Sequence, residues 1–116
     1  ISTTVFNNKS GTGEYGKENN VYIKKNSFVK KYDKSRKDEK LNGLDIGFFI
    51  IQKNFLKLFK NKNKNYSFEN DILTKAVELK KLIAYKTDRQ YFSITNLKML
   101  KKFEIISKKL NLGYIK

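Results

Sequence analysis

Cysteine and histidine are both absent from these 116 residues, and each absence closes off a class of chemistry. Without them no disulfide scaffold, thiol nucleophile, zinc site of Cys and His ligands or Ser-His-Asp triad can be assembled. Chemistry is left to carboxylates, hydroxyls, lysine and the backbone. Long apolar runs are missing too. None approaches the roughly 20 residues of a membrane span, and the opening ISTTVFNN lacks the basic region and apolar core of a signal peptide. The expectation is a cytoplasmic protein with no membrane partner. Arginine is scarce: of 26 basic residues only Arg36 and Arg89 are arginine. The formal charge of +15 would ordinarily point to a polyanion, yet base and phosphate readout favours the bidentate guanidinium. The lysines are scattered in pairs and triplets, alongside abundant Asn, Ile, Phe and Tyr and no proline. Such a bias is compositional rather than the mark of a binding face, so nucleic acid is not the expected partner.

What is present suits a globular domain. The chain is 39% hydrophobic and 14% aromatic, and a single domain of this length buries roughly two thirds of its unfolded surface. Its longest apolar run, LDIGFFII at Leu44–Ile51, has the length and the aromatic and β-branched content of a strand covered on both faces. It carries Asp45 inward, where a carboxylate must be paired or hydrogen-bonded. That requirement is met equally by backbone amides or by a ligand.

Before this run, Thr3–Phe6 reads as a strand and Asn7–Asn20 as a polar, glycine-punctuated loop. Val21–Ile23 and Ser27–Tyr32 read as two strands about a turn at Lys25-Asn26, and Asp33–Asn42 as a charged loop. After it, Phe55, Leu58 and Phe59 share one face of a helix over Lys53–Phe59, and Lys60–Tyr66 is a solvated loop. Ser67 is placed to cap a second helix, with Glu69 and Asp71 in its first turn and Ile72, Leu73, Ala76 and Val77 as its buried stripe. Leu82–Tyr85 and Tyr91–Ile94 read as strands flanking a turn at Thr87–Gln90. Asn96 can cap a third helix with Leu100, Phe103, Ile106 and Leu110 on one side and Gly113 as its stop. The sum is an α and β protein with a mixed sheet and three flanking helices.

Three motifs could carry chemistry. Gly11-Thr12-Gly13-Glu14-Tyr15-Gly16-Lys17 satisfies G-x-G-x-x-G and most of the phosphate-loop pattern. However, Glu18 stands where the magnesium-holding hydroxyl belongs, and the strand-like ENNVYIKK comes next in place of a helix. A nucleotide-binding loop there requires a helix after Lys17. Tyr32-Asp33-Lys34 closes a strand, where a lysine can meet a phosphate as a point charge and a carboxylate can accept hydrogen bonds from sugar hydroxyls; a solvated ion pair fits equally. Tyr91-Phe92-Ser93-Ile94-Thr95-Asn96 suits either the edge of an active site or a helix cap.

In their shared order these pieces resemble the second half of a sugar-1-phosphate nucleotidyltransferase. STTVF followed by NNVYI resembles the family's T-V strand, variable loop and N-V strand. FVKKYDK resembles its strand ending in an acidic residue and lysine, and LDIGFFII the acidic or amide residue, glycine and apolar strand that come next. YSFENDILTKAVELKKLIAYKTDRQYFSITNLKML resembles the closing helix, strand, Y-D-I-G-T turn and helix. The likeness runs from about Thr3 to about Phe103.

The resemblance implies an α/β architecture, or α+β as an isolated fragment. It implies that the chain contributes the sugar-phosphate side of an enzyme joining a nucleoside triphosphate to a sugar 1-phosphate with release of pyrophosphate. Carried over, it places Lys34 and Asp33 at the sugar-phosphate pocket, Asp45 and Gly47 along its lining, and Asn20 beside it. Mg2+ is implied for the complete enzyme, but Ser93 stands where many members carry a magnesium-binding aspartate, and Thr95 and Asn96 replace the usual glycine and small residue. The family's nucleotide-binding half, expected before Thr3, has no counterpart here. The chain alone is therefore expected to have no transferase activity and no cofactor of its own. It is expected to expose apolar surface on LDIGFFII or a neighbouring strand, and so to take a partner chain or self-associate. The alternative is a lysine-rich nucleic-acid-binding module without catalytic activity.

Overall fold

The β-branched run at the start of the chain forms the central strand of the molecule. In the computed structural model, which describes residues 1–61 and 63–110, β1 (Ser2–Phe6) lies between β4 (Leu44–Ile50) and β5 (Ile83–Thr87). It runs antiparallel to β4 and parallel to β5, so the sheet is mixed. A separate antiparallel hairpin joins β2 (Val21–Ile23) to β3 (Val29–Tyr32) through a turn at Lys24–Ser27, with Ser27 in the left-handed region. The hairpin is tied to the sheet by Val29 N–H donating to the Leu82 carbonyl at 2.9 Å and Ala84 N–H to the Ser27 carbonyl at 2.8 Å.

The elements are mixed α and β, with three α-helical segments among the described residues besides a 3-10 turn at Asn8–Ser10. α1 is a single turn, Lys53–Leu56. Ser67 caps the next segment, its hydroxyl accepting the Asn70 N–H; a wide-turned stretch, Phe68–Leu73, passes into α2 (Thr74–Glu78). Leu73 and Ala76 are fully buried, with Ile72 and Val77 packed partly against the core. α3 (Leu97–Leu110) is capped by the Asn96 side chain, which accepts the Met99 N–H at 3.0 Å. The core lies between one face of the sheet, the hairpin and α2, and is built from Val5, Val21, Ile23, Val29, Phe55, Leu73, Ala76, Leu82 and Ala84. Gly43 packs so closely on β1 that an added Cβ would meet Val5 Cγ1 at 2.5 Å.

Four expectations are corrected. β4 is an edge strand whose second face is covered only at Leu44: Phe49 turns inward onto Phe68, whereas Phe48 and Ile50 are 69% and 76% exposed. An apolar run alone does not tell a strand covered on both faces from one whose second face is open. The Lys53–Phe59 helix ends at Leu56, and Leu58 is exposed while Phe55 is buried. Tyr91–Ile94 is irregular rather than a strand, because its rings dock individually: Tyr91 edge-on against Phe6 and Phe92 against Phe103. On α3, Phe103 and Ile106 are half-covered while Leu100 and Leu110 are exposed, since the helix packs over an open cleft rather than the core. Gly113 lies outside the described residues.

Candidate functional site

Asp45 sits where three strands meet. Its carboxylate accepts the Thr3 hydroxyl from β1 at 2.9 Å and the Tyr32 hydroxyl from the end of β3 at 3.1 Å. Its backbone N–H is held at 2.8 Å by the side-chain oxygen of Asn20, a buried residue just before β2. Gly47 closes the group: its N–H donates to the same carboxylate at 3.1 Å. The pairing of β1 with β4 breaks here, since Thr3 faces Phe49 and Val5 faces Asp45, leaving Ile46, Gly47 and Phe48 opposite Thr4 alone. Gly47 takes a φ of +85° in that bulge, a conformation that glycine adopts without a Cβ penalty. The structure thus brings Asn20, Asp45 and Gly47 together.

Burial pushes the Asp45 carboxyl above the ordinary carboxylate range. The Gly47 amide and the Thr3 and Tyr32 hydroxyls pull it back, and nearby Glu69 adds to the rise. Burial and the adjacent Asp45 charge raise Tyr32 well above a free phenol. The Tyr32 hydroxyl therefore stays protonated and donates.

Asp33 and Lys34 are placed differently from the pocket lining expected of them. The Asp33 carboxylate turns back on its own loop, accepting the Ser35 N–H at 2.9 Å and lying 3.6 Å from Lys31 Nζ; the Ser35 hydroxyl and Lys31 hold it below the usual carboxylate range. It does not join Asp45. Lys34 reaches across to pair with Glu69 at the start of the α2 segment. Glu69 adds to the upward shifts of Asp45 and Tyr32, and its pair with Lys34 is solvent-accessible.

The glycine-rich loop is folded about Asn8. Its amide donates to the Gly16 and Glu18 carbonyls at 2.8 and 3.1 Å and accepts the Gly13 N–H at 2.9 Å. After Lys17 the chain passes directly into β2, with no helix between them, so the phosphate-loop geometry is absent. The loop instead walls a cleft of about 530 Å³ whose other sides are Tyr91, Phe92, Ser93 and α3. The Tyr91 hydroxyl accepts the Glu14 N–H at 3.1 Å, and Gln90 donates to the Thr12 carbonyl. Tyr91 is raised by burial, with Glu14, Tyr15 and Asp45 adding to the shift. Neither Asp45 nor Lys34 lines the cleft.

The described residues do not fit a magnesium site by themselves. Ser93 and Glu14 line the cleft, and among the described residues Glu14 is its only carboxylate, whereas Mg2+ takes near-octahedral oxygen ligation with carboxylates. Among the described residues there is no cluster of three or more metal-ligating side chains.

Sequence reasoning singled out Asp45, Gly47 and Asn20 but missed Thr3 as the carboxylate's partner and Tyr91 as the pin of the glycine loop. Thr3 lies two residues from buried Val5 on the same face of β1, which is a legible signal. The pairing of Tyr91 with Glu14 spans 77 positions and carries none. No family model, curated protein or solved structure matches the chain.

Proposed function

We propose that this domain supplies the sugar-phosphate side of a sugar-1-phosphate nucleotidyltransferase. The reading rests on the resemblance in motif order, and the observation that supports it best is the Asp45 group. Asn20, Asp45 and Gly47, drawn from separate parts of the chain, meet around one half-buried carboxylate flanked by two hydroxyls. Such a carboxylate can exchange its Tyr32 or Thr3 bond for a sugar hydroxyl, and Lys34, released from Glu69, can meet a phosphate as a point charge. Asp33 acts only by ordering the Lys34 loop. In-line transfer additionally needs charge neutralisation and positioning of the triphosphate. Among the described residues no group is arranged for that.

The test is calorimetric titration of the full chain with glucose, galactose and mannose 1-phosphates. Saturable binding of at least one is expected, weakened roughly tenfold by Lys34→Ala through loss of a charge-assisted contact and also weakened by Asp45→Asn. Absence of saturable binding to all three overturns the reading. Affinity for duplex DNA that falls steeply with salt would establish the nucleic-acid module in its place.

A further inference from the structure

One face of the three-stranded sheet is covered at its Phe6 and Leu44 end by Tyr91 and the glycine loop, but at its Ser2–Thr4 end it is open and shaped as a trough. Residues directly opposite one another share a face: Ser2 stands between Ile50 and Ile83, and Thr4 beside Tyr85, with Phe48 two residues from Ile50 on the same side. The outer strands thus raise two ridges, Phe48 and Ile50 on β4 and Ile83 and Tyr85 on β5, exposed by 69%, 76%, 44% and 71%. Small Ser2 and Thr4 form the floor between them. Two strand spacings separate the ridges by about 10 Å, the diameter of an α-helix with its side chains. Toward Ile50 and Ile83 the trough opens into a groove of about 570 Å³ bounded by Phe55 and exposed Leu58 and flanked by Lys80 and Lys81. Among the described residues, no carboxylate lines that groove.

We infer that this face docks an amphipathic helix of a separate acidic segment, its apolar stripe seated over Ser2 and Thr4 and its Asp or Glu side chains meeting Lys80 and Lys81. Apolar ridges this exposed mark an interaction site. Charge selects the occupant: a second copy would bring two chains of +15 together with lysines at the groove, whereas an acidic helix is steered in. The inference is independent of the sugar-phosphate reading, because Asp45 pairs with Val5 on the covered side of the sheet.

The test is a heteronuclear NMR titration of the full chain with two synthetic 18-residue helices bearing the same leucine stripe, one flanked by glutamates and one by lysines. The glutamate helix is expected to shift residues 48, 50, 80, 81, 83 and 85 saturably, and the lysine helix to bind roughly tenfold more weakly or not at all. Ile83→Glu, an exposed change that leaves the spectrum dispersed, is expected to abolish binding, and Lys80→Glu with Lys81→Glu to remove the preference between the helices. Equal affinity for both helices, shifts confined to other surfaces, or a dimer in sedimentation equilibrium that Ile83→Glu dissolves would each overturn the inference.

Discussion

Asp45 is destabilising at neutral pH relative to acid, and the sign follows from its surroundings. Its pKa is raised in the folded chain, mainly by burial. The folded state therefore binds the carboxyl proton more tightly than the unfolded state, and stability falls as pH rises from the unfolded value through the folded one. Asp33, Asp38 and Asp71 run the other way, each lowered by hydrogen bonds to its carboxylate. They contribute stability above the unfolded value that is lost as pH falls through their lowered folded values. Asp45→Asn removes only the first effect. In urea unfolding at pH 4, 5.5 and 7, the stability of the Asn variant relative to the native chain should increase with pH. Gly47 offers a second check at this scale. An added Cβ there meets open space, so Gly47→Ala pays only for its positive φ, about 1–2 kcal/mol, read as a lower thermal midpoint with the fold intact. Both residues stood out in the sequence as an acid and a glycine at the head of an apolar run. That Gly47 serves a bulge and donates to Asp45 depends on β1 pairing, which local sequence does not specify.

Among the elements, those that close on themselves were the legible ones. The caps at Ser67 and Asn96 are local bonds between a side chain and an amide three residues on, and the stripe of Leu73 and Ala76 is a helical spacing; both can be read along the chain. Ser67→Ala should accordingly cost about 1 kcal/mol, measurable by chemical denaturation. Edges were illegible. LDIGFFII reads the same whether its second face is covered or open, and which side is open is set by its pairing with β1 at the edge of the sheet. Tyr91–Ile94 has strand composition but forms none, because Phe6 and Phe103 claim its rings one by one.

For the whole molecule, the central strand joins distant parts of the chain: β1 pairs with β4 and with β5, about 40 and 80 residues away. No helix among the described residues is long and apolar enough to cross a membrane. The glycine loop turns about Asn8 into a cleft wall rather than a phosphate cradle, and among the described residues the cleft holds a single carboxylate beside Ser93. On the reading proposed above, in which this chain supplies only the sugar-phosphate side, the chain by itself should release no pyrophosphate from any nucleoside triphosphate with hexose 1-phosphates and Mg2+; metal-dependent turnover in a coupled phosphate assay would sink that expectation. The sequence by itself determined most of the kinds of element, the caps, and the absence of thiol and imidazole chemistry, because these depend on residue type and spacing of a few positions. Only the tertiary structure decided which face of β4 is open, that Thr3 and Tyr32 share the Asp45 carboxylate, and that Lys34 meets Glu69. Each is a contact across tens of residues, set by which strands lie side by side.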